Sequence, residues 1–340
     1  MAIENWVAQH VESLTAFRRD LHENPELLYD LPRTAATVAD ALRAAGVDEV
    51  VEGIGKTGVV GVIRGQTNTS GRTIGLRSDM DALPIVEATG KPWASKVEGK
   101  MHACGHDGHT AMLLGAARHL AESRAFDGTV IVIFQPAEEG GAGAKAMIDD
   151  GLFTRWPCDE VYGMHNRPNL PVGQFTIAPG PIMGSVDEIR ITIEGRGGHA
   201  ARPDSTIDSF PIAAALIQSI QTIVSRTVDP MDNAVVSLCT IHAGNAFNVI
   251  PQTIEMTGTV REEVRGHIEA QLASLVPSIA AGFGATATLD YIRMYPVTVN
   301  HAHETDLAAA AAIEVAGEAN VTLDMPPVLG GEDFSFMLNE

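Results

Sequence analysis

The segment Met101-His-Ala-Cys104-Gly-His106-Asp-Gly-His109-Thr110 places a thiol and two imidazoles within six residues, separated by two glycines. Cys104 and His106 are two residues apart, so on extended backbone their side chains share a side and can reach one ion. Thiolate and imidazole are both good ligands for zinc and its neighbours. The plainer reading of the same residues is a buried cysteine beside solvated histidines at a helix start. His109 reads as a structural or supporting residue.

Further groups that could do chemistry recur along the chain. Arg77-Ser-Asp79-Met-Asp81 carries two acids; Asp81 reads either as a carboxylate orienting a metal ligand or as a salt-bridge partner of Arg77. Glu138 and Glu139 are adjacent, and neighbouring side chains diverge, so one can bind an ion while the other shuttles a proton. Their alternative is a solvated acidic pair at a helix N-terminus, which the dipole favours. His165 ends a short apolar run and is either a ligand or a satisfied core histidine. His199 lies in the glycine-rich loop Gly195–Pro203, and Asn248 precedes Val-Ile-Pro, where a turn role competes with a binding one.

The elements that would position these groups follow from periodicity. Trp6, Val7, Val11, Leu14, Phe17 and Leu21 share one helical face over 5–22, and Asn24-Pro25 ends that helix. Pro32 opens a second helix that stops at Gly46. Strands are expected at Gly58–Ile63 and Thr73–Leu76, then a helix from about Gly108 to Glu122. The wholly apolar strand Thr129–Phe134, a helix at about Ala144–Asp150 and a short strand ending in His165 complete this part. Uninterrupted apolar strands alternating with helices imply an α/β fold whose mixed, mostly parallel sheet is covered by helices. Asp79, Asp81, Cys104, His106, Glu138, Glu139 and His165 all fall at strand ends or in the loops beyond, the edge where such sheets bind ligands.

After Met183 the pattern changes. Ile189, Ile191 and Ile193 alternate as in a half-exposed strand. A helix over about Thr206–Ser225, strands at Ala234–His242 and Thr253–Val260, a helix at about Glu262–Ala280 and a strand at Ala285–Ile292 follow. This reads as a small inserted α+β domain, 184–295, within a first domain made of 1–183 and 296–340.

Composition sets bounds. The 340 residues are enough for two domains, and the formal net charge of −20 argues against nucleic acid or an anionic membrane as partner. Three widely spaced cysteines do not form a disulfide framework, and Cys158 and Cys239 read as inert. No apolar run reaches membrane-spanning length and no basic, apolar leader is seen. The expectation is a cytoplasmic protein.

Taken together, Arg77–Pro84, Met101–His109, Gln135–Gly141, Gly163-Met-His165, Gly197-Gly-His199-Ala-Ala, Asn248-Val-Ile-Pro251, Gly258-Thr-Val-Arg261 and Gly330-Gly-Glu-Asp-Phe334 resemble the amidohydrolase branch of the aminoacylase/carboxypeptidase metallopeptidase clan. The resemblance covers nearly the whole chain and keeps the family's order. It implies a metal-binding α/β domain with an inserted lid and dimerisation domain, and a homodimer or homotetramer. It implies two divalent ions (Mn, Zn, Ni or Co) held by Cys104, His106, Glu139 and His165, with Glu138 as general base. It further implies His199 as the lid histidine that stabilises the oxyanion and Asn248 as a contact to the substrate carboxylate. The substrate class it implies is a small-molecule N-acyl amino acid. Two departures stand out. The family supplies its last ligating histidine from a segment beyond the Glu-Asp-Phe motif that would fall after Glu340, so the expectation is either a truncated chain or one incomplete metal site. Asp204 follows Pro203 where relatives often carry histidine.

The chemistry can be stated without the family. Amide hydrolysis at neutral pH needs a strong nucleophile, a stabilised oxyanion and a protonated leaving group. A cation supplies the first, cation and His199 the second, and a nearby carboxylate the third. The competing expectations are a metal-free cysteine amidase using Cys104, and a non-catalytic metal or ligand binder.

Overall fold

In the computed structural model the described residues are 3–262 and 266–340. They form two compact units, one running to Gly173 and including Phe336–Glu340, the other spanning Gln174–Ser335.

The first unit begins with helices α1 (Ile3–Glu23) and α2 (Pro32–Ala44). Strands β1 (Glu49–Ile54), β2 (Gly58–Arg64) and β3 (Thr73–Asp79) follow, then α3 (His106–Ser123), β4 (Thr129–Gln135), α4 (Gly143–Asp149), the short α5 (Leu152–Arg155) and β5 (Glu160–Gly163). The sheet order is β1-β2-β4-β3-β5. β3 runs parallel to both of its neighbours, whereas β2 runs antiparallel to β1 and β4, so the sheet is mixed and its parallel character is confined to β4-β3-β5.

Strands β2 and β4 are apolar at successive positions because both faces are covered. On one face Leu31, Val38 and Leu42 from α2 and its approach, and Leu113, Leu114 and Ala117 from α3, pack on Val59, Ile63, Val130, Val132 and Phe134. On the other, a Cβ at Gly58 would lie 2.8 Å from the Met147 side chain, which locates α4 against that face. Phe134 is fully buried; truncating such a side chain to alanine costs about 3–5 kcal/mol.

The second unit contains β6 (Phe175–Thr176), β7 (Gly180–Met183), β8 (Val186–Glu194), β9 (Gly198–His199), α6 (Ser209–Thr227), β10 (Ala234–Ala243), β11 (Val249–Ile250), β12 (Thr253–Glu262), α7 (His267–Gly282), β13 (Thr286–Tyr295), β14 (Thr298–Asn300), α8 (Ala302–Ala316) and β15 (Val321–Thr322). Its main sheet is antiparallel, in the order β10-β12-β8-β13. The alternation at Ile189, Ile191 and Ile193 puts all three on one face, against Ile212, Leu216 and Ile220 of α6 and Ile268, Leu272 and Val276 of α7.

Several expected limits shift for local reasons. α3 starts at His106 rather than about Gly108, because Gly105 takes a left-handed backbone (φ 96°) and caps the helix. α6 starts at Ser209 rather than about Thr206, because the Asp208 side chain accepts the Phe210 N–H. α7 begins at His267; part of the first turn expected from Glu262 lies outside the described residues, and Glu262 itself ends β12. β1 and α5 have no counterpart in the sequence pattern.

Candidate metal centre

The centre is built where β3, the N-terminus of α3, the loop after β4 and the loop after β5 converge. β3 ends in Arg77-Ser78-Asp79, all buried. Arg77 donates from Nε to Gln135 Oε1 at 2.8 Å and from Nη1 to Asp79 Oδ2 at 3.1 Å. Thr110, one turn into α3, donates to the Asp79 carbonyl at 2.9 Å and ties the helix start to the strand end. Asp107, in the first turn of α3, is anchored from α1: Arg18 Nε and His22 Nδ1 each donate to its Oδ2 at 2.9 Å.

Asp81 is fully buried. Its Oδ1 accepts the Glu138 N–H at 3.0 Å and its Oδ2 the Glu139 N–H at 3.1 Å. Arg77, the other partner the sequence offers Asp81, is ion-paired with Asp79 at 3.1 Å. The Glu138–Glu139 turn is tight. Ala137 sits at φ 56°, a strained position for a residue with a Cβ. A Cβ on Gly143 would lie 1.6 Å from the Pro136 carbonyl oxygen, so only glycine fits there. Glu138 is buried and Glu139 half-buried.

His106, the first residue of α3, is fully buried. Its Nε2 lies 3.6 Å from Asp79 Oδ2, 3.8 Å from Glu139 Oε1 and 3.9 Å from Glu138 Oε2, and its Nδ1 lies 3.5 Å from Asp81 Oδ1. These are ion-pair distances without hydrogen-bond geometry. Both ring nitrogens, and Glu139 Oε1, are buried with no hydrogen-bond partner. Such atoms cost on the order of 1–3 kcal/mol each when left unsatisfied.

Cys104, His106 and Glu139 present ligand atoms within 4.8 Å of one another, as do Asp79, His106, His109 and His165. Cys104 Sγ is 3.4 Å from His165 Nε2. The structure therefore brings Cys104, His106, Glu139 and His165 together with Glu138 and Asp81. Asp79, His109 and Asn166 join them, although the sequence pattern assigns no role to Asp79 or Asn166. Asp79 carries a visible signal, since it is two residues before Asp81 on the same strand end. Asn166 carries none beyond following His165.

Electrostatics describe a pocket suited to positive charge. Burial alone would lower the His106 pKa, but Asp79 and Asp81 beside it push it up to about 12. Burial opposes ionisation of Asp79, yet His106, Arg77 and His109 hold its carboxyl well below the usual range. Burial raises Glu139, with Asp81 adding to the effect. Burial also raises the Cys104 thiol, with Glu139 and Glu138 adding to it against the opposing pull of His106. A cation at this place would take over the role of the proton on His106. It would also satisfy His106 Nε2 and Glu139 Oε1, with the ring proton left on Nδ1 beside Asp81, so the donor set fits a metal centre.

His199 and Asn248 lie in the second unit, side by side. β9 pairs with β11, with His199 opposite Val249, and the Asn248 carbonyl accepts the Ala200 N–H at 3.0 Å. Both residues are exposed. Ala201 N–H donates to His199 Nδ1 at 3.1 Å, so the ring proton sits on Nε2. Asp204, the departure noted above, is exposed and paired with Arg202 Nη2 at 3.0 Å.

Comparison with known proteins gives the family. The model of peptidase family M20/M25/M40 matches residues 75–340. The chain belongs to peptidase family M20/M25/M40. The span matched to this family contains every candidate residue from Asp79 to Asn248. Among relatives of this M20 chain, hippurate hydrolase of Campylobacter jejuni is 44% identical over 322 residues, covering 94% of this chain and 83% of that one. N-acetylcysteine deacetylase of Bacillus subtilis is 41% identical over 326 residues, covering 95% and 84%. The crystal structure of the Bacillus subtilis protein YXEP, described as a dinuclear metal binding peptidase of the M20 family, superposes with a TM-score of 0.83 at 37% identity. It covers 97% of this chain and 86% of that one. The M20 chain is thus a hydrolase with an α/β fold. Among its described residues no helix is long and apolar enough to cross a membrane.

Proposed function

We propose that the protein is a metal-dependent amidohydrolase that cleaves the amide bond of N-acyl amino acids, releasing the acid and the free amino acid. The observation that carries this reading is the set of orphaned buried atoms on His106 and Glu139, placed beside Cys104 and His165 and ringed by Asp79, Asp81 and Glu138. The activities of hippurate hydrolase and N-acetylcysteine deacetylase, both similar to this chain, support the substrate class.

In this reading Cys104, His106, Glu139 and His165 hold two divalent ions of the Mn, Zn, Ni or Co class. Bound there, the ions would supply Lewis acidity to the scissile amide and to the attacking water. Glu138, held in place by Asp81 through its own main-chain N–H, takes the proton of the attacking water and returns it to the leaving amine. His199 donates from Nε2 to the oxyanion, supplied by a partner subunit's lid. Asn248, next to Val249, the residue paired with His199, binds the substrate carboxylate. We place the lid and dimerisation domain at 184–295 and the metal domain at 1–183 with 296–340. The four-stranded sheet and the two helices on it fall within the former range. A cytoplasmic homodimer or homotetramer completes the reading.

A metal-free cysteine amidase fits less well. A nucleophilic cysteine needs a depressed pKa, and Cys104 is shifted upward by burial and by two carboxylates. The test is hydrolysis of a panel of N-benzoyl and N-acetyl amino acids before and after exhaustive chelation. Activity lost on chelation and restored by Mn, Zn, Co or Ni supports the proposal. Activity that persists without metal but disappears on thiol alkylation refutes it.

A further inference from the structure

We infer that His109 is a positioning residue that fixes His165 through the peptide of Asn166. The inference rests on the metal reading above and extends it to a residue that binds no ion. His109 is almost fully buried. Its Nδ1 faces Asp79 Oδ1 at 2.6 Å. The Asn166 main-chain N–H donates to its Nε2 at 3.0 Å. The carbonyl of the same Asn166 accepts from His165 Nδ1 at 2.6 Å. One residue therefore receives His165 at its carbonyl and is held by His109 at its N–H.

The chain of contacts fixes both tautomers. The Asn166 N–H points at Nε2, which must accept, so the His109 proton is on Nδ1, toward Asp79 Oδ1. Asn166 Oδ1 also lies 2.5 Å from Nε2; with the His109 proton on Nδ1, the carboxamide is assigned flipped, its NH2 toward the ring. His165 carries its proton on Nδ1, and its Nε2 faces Cys104 Sγ, 3.4 Å away. Both nitrogens of His109 are engaged, so although it clusters with Asp79, His106 and His165 it acts as a prop. Gly105 closes the other side of Asn166: a Cβ there would lie 2.7 Å from the carboxamide. Partners of this kind set the orientation and basicity of a ligating imidazole.

The test is a cobalt(II) titration followed by the d–d absorption bands, on the full chain and on H109A, H109Q and H109N. Glutamine places an oxygen near the Nε2 position and keeps the acceptor for Asn166 N–H. Asparagine reaches only the Nδ1 position and keeps the contact to Asp79. H109A and H109N are expected to lose about tenfold to a hundredfold in cobalt affinity with altered bands, while H109Q keeps the wild-type spectrum and affinity. If H109A does not fold, the contrast between H109Q and H109N decides. Wild-type affinity and bands in H109A, or H109Q and H109N behaving alike, overturn the inference and leave the metal reading standing. No cobalt uptake by the wild-type chain removes that reading and the inference with it.

Discussion

Asp81 Oδ1 accepts the main-chain N–H of Glu138 at 3.0 Å, so a buried carboxylate at the end of one strand holds the proposed general base at the end of another. The companion bond to Glu139 N–H at 3.1 Å makes Asp81 the clamp for the whole acidic turn. Asp81→Ala leaves two inward-facing N–H groups without acceptors. It is expected to cost about 1–3 kcal/mol per group in unfolding free energy and about tenfold to a hundredfold in activity. Denaturant melts and kcat measured on the same preparation check this; unchanged kcat would remove Asp81 from the site.

Glu138 and Glu139 separate cleanly by measurement. Glu138→Gln is expected to lower kcat by about 10²–10⁴-fold, the range for loss of a general base, with metal content unchanged. Glu139→Gln is expected to lower metal content itself. Elemental analysis beside a steady-state assay distinguishes them, and equal metal loss in both variants would contradict the division of labour.

Gly105→Ala tests the approach of the α3 N-terminus to the loop after β5. The backbone at φ 96° and the 2.7 Å approach to Asn166 both oppose a side chain. The substitution is expected to destabilise by about 1–3 kcal/mol, the cost of a strained backbone position. A melting temperature equal to wild type would show that the loop yields freely.

Acid stability should respond to Asp127. Hydrogen bonds from Thr69 and Thr67, with the Thr69 and Ser70 main chain, lower its carboxyl to about 2. A carboxyl whose folded pKa is below its unfolded value stabilises above the unfolded pKa, near 3.8, and that stabilisation is lost as pH falls through the folded pKa near 2. Asp127→Asn is therefore expected to flatten the fall in melting temperature between those two values. Parallel wild-type and variant curves across this window would contradict the assignment.

Much of this is legible in the chain because apolar continuity and turn chemistry are local signals. β2 and β4 read as buried strands since nearly every side chain along them is apolar, and the acids, thiol and histidines just beyond them mark the sheet edge. β1 is not legible: Glu49 and Glu52 are exposed and the adjacent Val50 and Val51 both half-buried on an edge strand, with a register shift near Ile54, so no period emerges. The link from Arg18 and His22 to Asp107 joins residues more than eighty positions apart and exists only through the packing of α1 on α3. Asn166 is invisible for a related reason. It acts through its main chain, and the sequence records only side chains.

The central claim is that Cys104, His106, Glu139 and His165 hold divalent cations. The most direct measurement is the metal content of the purified chain after chelation and reconstitution, compared with His106→Ala at the same protein concentration. The account predicts bound metal in the wild type, with uptake sharply reduced in the variant while its fold, read by circular dichroism, persists. Equal metal uptake by a folded His106→Ala chain, or none by the wild type, would contradict it.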